Sequence, residues 1–206
     1  MLLTLGLLYR HVTLLPLILI VTFSAPIFTN AILKNMKMMK VYISGKIDVA
    51  VISEANRQKF ARAEEMLKAK GYEVFNPTNE EWQQHLKEQY DIQYYDREMT
   101  IPANAASFYT YCLLRNLMAM ATKDAVYFLD DYDRSDGSRT EHSFAVATRK
   151  RLYFMDRHDA CEYLIDRMYE EAKANGSPVE YDNVNDRNDI EIAYFTQHLD
   201  EAWLPL

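Results

Sequence analysis

The sequence predicts an α/β domain in which a parallel sheet carries helices on both faces. Three observations lead there. Ala125-Val126-Tyr127-Phe128-Leu129 is apolar without alternation, as in strands covered on both faces. Val41 to Ser44 and Tyr72 to Phe75 flank a helical stretch, and such a crossover is right-handed and joins parallel strands. The loop after the apolar run, Asp130-Asp131-Tyr132-Asp133-Arg134-Ser135-Asp136-Gly137-Ser138-Arg139-Thr140-Glu141, puts carboxylates where ligands of parallel sheets collect, beyond the carboxyl ends of the strands.

The elements follow in order. Val41 to Ser44 alternates apolar and small residues and stops at Gly45, a first strand ending in a tight turn. Ser53 caps a helix with Phe60, Ala63, Met66 and Leu67 on one face, and Gly71 ends it. Tyr72 to Phe75 is the second strand, closed by Asn76-Pro77. Residues 80–103, with Trp82, Tyr90, Tyr94 and Tyr95, read as a helix and then an irregular loop through Pro102. Helical spacing resumes from Ser107 to Thr122, with Phe108, Tyr111, Leu114, Leu117, Met118 and Ala121 as its apolar positions, and feeds the strand Ala125 to Leu129. Three elements complete the domain: a helix from Ser138 to Arg149, a strand from Leu152 to Met155 and an amphipathic helix from Asp159 to Ala174 with Leu164, Ile165, Met168 and Ala172 inward. Gly176 ends the last of these. Asp182 to Asp189 reads as a polar linker, and Ile190 to Leu206 as an extra helix or strand docking on this chain or on a neighbouring subunit. The chain thus divides into a hydrophobic leader over 1–38, one domain over 39–175 and a C-terminal extension over 176–206.

Composition excludes several classes. A chain of 206 residues with 49% hydrophobic and 26% charged residues buries a sizeable core and is not globally disordered. The net charge of −7 excludes a protein that coats duplex nucleic acid, which needs a basic stripe to displace counterions, and favours a small-molecule partner. Cys112 and Cys161 each stand alone, without metal-ligand spacing, as expected of buried thiols in a reducing, cytoplasmic setting. The leader points elsewhere: no charge falls between Val12 and Leu33, and Leu14 to Val21 is almost purely aliphatic. Three readings compete, namely a start-site artefact upstream of Met36, Met38 or Met39, a signal for export, and a membrane anchor interrupted by Pro16 and Pro26. A membrane is a partner only under the last.

The chemistry concentrates around Glu141. It lies three residues after Ser138, so Ser138-Arg139-Thr140-Glu141 is a capping box in one reading. In the other it is a nucleophile in the first helical turn, kept ionised by the amide dipoles. A calcium loop fails in register: starting from Asp131, the required glycine falls on Asp136 and the closing glutamate on His142. Asp130 or Asp131 as a phosphoacceptor is a further reading, and otherwise these are solvated carboxylates of which one or two bond sugar hydroxyls. Gly45 either lets a phosphate or sugar near the backbone or makes an ordinary turn, and Lys46 beside it attracts a phosphate. The aromatics Tyr90, Tyr94, Tyr95, Phe108, Tyr109 and Tyr111 stack on a base or fill a core. His85, His142, His158 and His198 are scattered singly and form no triad.

Three segments in order carry a resemblance. They are Lys40-Val41-Tyr42-Ile43-Ser44-Gly45-Lys46-Ile47, then Gly71-Tyr72-Glu73-Val74-Phe75-Asn76-Pro77, then the run from Leu114-Arg115-Asn116-Leu117 through Asp124 to Leu129 and on to Gly137-Ser138-Arg139-Thr140-Glu141 and Ala145. Over residues 40 to about 155 the chain resembles the nucleoside 2-deoxyribosyltransferase-like superfamily, and within it a subgroup of small, uncharacterised phage and bacterial proteins. The resemblance implies a flavodoxin-like, Rossmann-like single domain. It implies a pocket built from the loop after the first strand, the Asn76-Pro77 turn and the helix at Ser138. Glu141 would attack the anomeric carbon of a nucleoside or nucleotide, releasing the base, and water or a second base would resolve the glycosyl ester. Tyr42 would orient Glu141; Ser44, Gly45, Lys46, Asn76, Asp131, Gly137 and Ser138 would shape the sugar or phosphate site. No metal or organic cofactor is implied, and a homo-oligomer is. The chain departs from the enzymes at Asn116, where they carry an aspartate: an amide donates a hydrogen bond but carries no proton between groups. Arg139 replaces a small residue and Lys46 stands where many relatives have proline. A non-catalytic nucleotide-binding module is the alternative function.

Overall fold

Lys40–Ser44 (β1), Glu73–Phe75 (β2), Ala125–Phe128 (β3) and Arg151–Phe154 (β4) pair in parallel in the spatial order β2-β1-β3-β4. The structure, a computed structural model, describes residues 38–47, 52–96, 107–177, 179 and 184–206. Residues 1–37 of the leader, the loop through Pro102 and the side chains of Tyr94 and Tyr95 lie outside the described residues. The helices are Glu54–Ala69 (α1), Glu80–Asp96 (α2), Phe108–Ala121 (α3), Asp136–Ala147 (α4), Arg157–Ala174 (α5) and Val184–His198 (α6), with 3-10 turns at Tyr132–Arg134 and Leu199–Glu201. This is an α/β, Rossmann-like fold, and Met39–Leu206 is one unit.

Strand alternation divides the core in two. Val41, Ile43, Ala125, Tyr127 and Leu129 face Phe60, Ala63 and Leu67 of α1. On the other side Tyr42, Val126, Phe128, Leu152 and Phe154 meet Met120 of α3, Ala145 of α4 and Ala160 and Leu164 of α5. All four residues of β3 are buried, so its unbroken apolar run follows from having helices on both faces. Each fully buried large side chain contributes roughly 1.5 to 3 kcal/mol. The connection from β1 runs to one edge of the sheet and that from β3 to the other. The loops after these strands therefore diverge, and a crevice opens at the carboxyl ends of β1 and β3.

Ser53 and Ser107 cap α1 and α3 with their side chains, accepting from the Asn56 and Thr110 amides, and Gly71 and Gly176 follow α1 and α5 with φ of 87° and 69°. Gly45 is set by packing: a Cβ there would stand 2.7 Å from Leu129 Cδ1, and Leu129 is fully buried. Gly45→Ala should cost about 1 to 3 kcal/mol of overpacking, read as a lowered urea midpoint at unchanged slope. An unchanged midpoint would show that Leu129 yields freely.

Two expectations are corrected. The helix expected from Ser138 to Arg149 starts at Asp136, because Ser135 and not Ser138 is its cap, accepting from the Ser138 amide at 3.3 Å. It closes on Arg149 in the left-handed region at φ 54°, with no glycine to announce the stop. In α3, which has the helical spacing expected of it, Tyr111, Asn116 and Met120 are buried, whereas Leu114 and Met118 are 39% and 61% exposed. The stretch expected as a linker is helical from Val184 onward, a polar helix with an Arg187 to Glu191 ion pair one turn apart.

The C-terminal extension adds both a helix and a strand-like segment. Tyr169 of α5 donates to Glu191 of α6 at 2.6 Å. Trp203 then bridges Phe154 in parallel: the Phe154 amide donates to Ala202 O at 2.7 Å, and the Leu204 amide to Phe154 O at 2.9 Å. Tyr127 Oη donates to Leu204 O at 2.7 Å, and Ala202 is fully buried. The outer edge of β4 is thereby covered. No described helix is long and apolar enough to cross a membrane.

Candidate active site

Tyr42 and Ser44 are two apart on β1, so their side chains leave the sheet on one face. α4 follows β3, and its first turn is fastened to the end of β1 by Ser138 Oγ, which donates to Gly45 O at 2.7 Å. Glu141, nearly one turn further, then reaches both β1 side chains. Tyr42 Oη donates to Glu141 Oε1 at 2.7 Å, and Ser44 Oγ donates to Oε2 at 2.6 Å. The carboxylate is 5% exposed, and it forms part of the wall of a cavity of about 540 Å³ at the carboxyl ends of β1 and β3.

This geometry removes one of the two readings of Glu141 and the dipole argument of the other. Its oxygens go to β1, not to the cap of its own helix, so the capping box does not form. Nor does a first-turn dipole keep it ionised, since Glu141 is the sixth residue of α4. Burial pushes its pKa up to about 7, and the hydrogen bonds from Ser44 and Tyr42 hold it from rising further. Tyr42, itself buried beside that carboxylate, has its pKa raised well above the ordinary value and stays a neutral donor.

The other expected residues separate into two groups. Gly45, Asn116, Gly137 and Ser138 line the cavity together with Glu141. Lys46, Asn76 and Asp131 are not among its described lining. Asp131 pairs with Lys59 and accepts from the Lys46 amide at 3.1 Å, which pins the loop after β1, while the Lys46 side chain is exposed. Asn76 closes a turn: Oδ1 accepts from the Thr78 amide and hydroxyl at 2.9 and 2.8 Å, and Nδ2 donates to Glu64 at 2.8 Å. It borders a smaller neighbouring cavity with Phe75 and Trp82. Of the aromatics, Phe108 and Tyr109 line the main cavity, whereas Tyr90 and Tyr111 pack on each other between α2 and α3 with ring centroids 5.4 Å apart.

Several lining residues carried no expectation. Arg57 and Lys87 bring two cations, and Cys112 brings a thiol that burial pushes up to about 11, hence protonated and unreactive at neutral pH. Arg57 sits in the first turn of the helix that follows β1, a position that faces the crevice of any such sheet; nothing in the sequence singles out Lys87. No histidine belongs to the described lining. His142 turns the other way, between Phe128 and Phe154, where burial lowers its pKa. The arrangement supplies one buried, doubly fastened carboxylate, an amide at Asn116 and two aromatic rings around a space within the usual range for small-molecule sites.

A family model described as a domain of unknown function, DUF4406, matches residues 39–154. No curated protein matches the chain, and no solved structure does.

Proposed function

The chain belongs to the DUF4406 family, a domain of unknown function, and from its site we propose that it cleaves or transfers the N-glycosidic bond of a nucleoside or nucleotide with Glu141 as nucleophile. The observation that carries this reading is a buried carboxylate whose two oxygens are fixed from β1 at the wall of a nucleoside-sized cavity. The resemblance to the nucleoside 2-deoxyribosyltransferase-like superfamily supports it independently. A Glu141 oxygen bonds to C1′ while the C1′–N bond breaks and its electron pair stays on the base. Water or a second base then attacks C1′ and frees the carboxylate. Tyr42 and Ser44 keep Glu141 in one rotamer, which spares the reaction the entropy of finding it. Phe108 and Tyr109 offer stacking surfaces for the base.

The test incubates the full chain with purine and pyrimidine deoxynucleosides and their 5′-monophosphates and follows free base by chromatography. Release of base supports the reading; none with any substrate refutes it. Asn116 favours a second reading, a module that binds such ligands without cleaving them, because its amide cannot protonate a departing base. Ligand-induced thermal stabilisation without base release would establish that alternative.

The pH profile follows from the raised pKa of Glu141. The carboxylate is the reactive form, so kcat/KM should rise tenfold per unit at acid pH and level off above about 7. Tyr42→Phe removes one of the two hydrogen bonds that favour the ionised form, so the acid limb should move to higher pH. An acid limb near the ordinary glutamate range would contradict the assignment.

A further inference from the structure

Trp82 joins the parts of the site that lie furthest apart in sequence. Its indole Nε1 donates to Asn116 Oδ1 at 3.1 Å, across 34 positions. Its ring meets Phe75 edge-on, with centroids 5.1 Å apart and planes at 80°. Phe75 in turn stacks on Tyr42 at 5.4 Å and 14°, and Tyr42 holds Glu141. The indole is thus braced by the same ring stack that orients the carboxylate. An indole nitrogen only donates, so the atom of Asn116 that faces it is the carbonyl oxygen. Among the described residues the bond from Trp82 is the one hydrogen bond of the Asn116 side chain, while Asn116 is 8% exposed and lines the cavity.

We propose that Trp82 is a positioning residue that fixes the Asn116 amide with its NH2 toward the cavity, so that the site selects a base presenting a hydrogen-bond acceptor there. Without the indole the amide could turn over and offer either group; with it, only a donor is available. An acceptor on the base, a ring nitrogen or a carbonyl, satisfies that donor, whereas a donor placed there leaves two N–H groups opposed in a buried wall. The selection step rests on the nucleoside reading given above; the bond between Trp82 and Asn116 does not.

Two measurements separate these parts. The chain has two tryptophans, Trp82 and Trp203, hence two indole N–H signals in a ¹⁵N-labelled full chain. Hydrogen exchange of the Trp82 indole should accelerate about tenfold or more in Asn116→Leu and return toward the parent rate in Asn116→Asp, which keeps an acceptor. An unchanged rate in Asn116→Leu overturns the positioning role, whatever the ligand. For selection, affinities are compared for deoxyadenosine against its 3-deaza and 7-deaza forms, and for deoxycytidine against its 3-deaza form. One deletion should cost the parent protein about tenfold in affinity, as expected when a buried donor loses its partner, and cost Trp82→Phe and Asn116→Leu less than about twofold. Phenylalanine keeps the ring against Phe75, so a merely structural role would leave that ratio unmoved. Equal binding of every analogue by the parent, or a deficit that persists in Asn116→Leu, overturns the selection. Absence of binding by any nucleoside removes the selection and the proposed function together, and leaves the exchange result standing alone.

Discussion

Glu141→Gln should abolish base release, by about 10³-fold or more, because an amide cannot form the glycosyl ester. It should at the same time make the fold more stable in neutral and alkaline solution, and the pairing of these effects is what distinguishes a reacting group from a structural one. The substituted glutamine retains partners, since the hydroxyls of Tyr42 and Ser44 rotate to donate or accept. The sign follows from the raised pKa. The unfolded chain binds a proton at Glu141 only below its ordinary value of 4.5, the folded chain below about 7. The glutamate therefore contributes stability below 4.5 and loses it as pH rises through 7. The gap between those two values corresponds to on the order of 3 kcal/mol, which glutamine does not lose. Urea unfolding of both proteins at pH 5 and pH 8, beside base release, measures it. Equal turnover in the variant would end the nucleophile assignment, and a variant less stable than the parent at pH 8 would contradict the burial argument.

The second large effect concerns the outer edge of the sheet. Removing residues 199–206 should destabilise the fold by about 4 kcal/mol or more, since the Phe154 amide and carbonyl and the Tyr127 hydroxyl lose their partners while Phe154, now fully buried, is uncovered. The bared edge of β4 is also free to pair with another chain. Differential scanning calorimetry and gel filtration of the shortened protein should show a lower Tm and larger species. A Tm unchanged within a degree or two would mean that the bridge at Trp203 contributes little.

What the sequence discloses here follows from how local each signal is. The parallel sheet is legible because β1, β2 and β3 are short apolar runs with helical spacing between them, and Ser53, Ser107, Gly71 and Gly176 mark helix ends through contacts within a few residues. The start of α4 is misread because Ser135 and Ser138 are both competent caps, and the glutamate after the second gives it the false appearance of a box. The inward face of α3 has no clear mark in the sequence because the helix is apolar on several sides, leaving periodicity little to work with. Glu141, Asn116 and Gly137 are legible as a set, with Tyr42 as a partner of Glu141, yet the other partners that fix them are not. Ser44 lies 97 positions from Glu141, and Trp82 lies 34 from Asn116, distances at which only the folded chain determines contact.

The fastening of Glu141 by two hydroxyls has an evolutionary corollary. Because glutamine fits the same niche and would be the sturdier occupant at neutral pH, random drift unopposed by selection runs from acid to amide at this position. A chain that keeps the acid bears a cost that folding alone does not require.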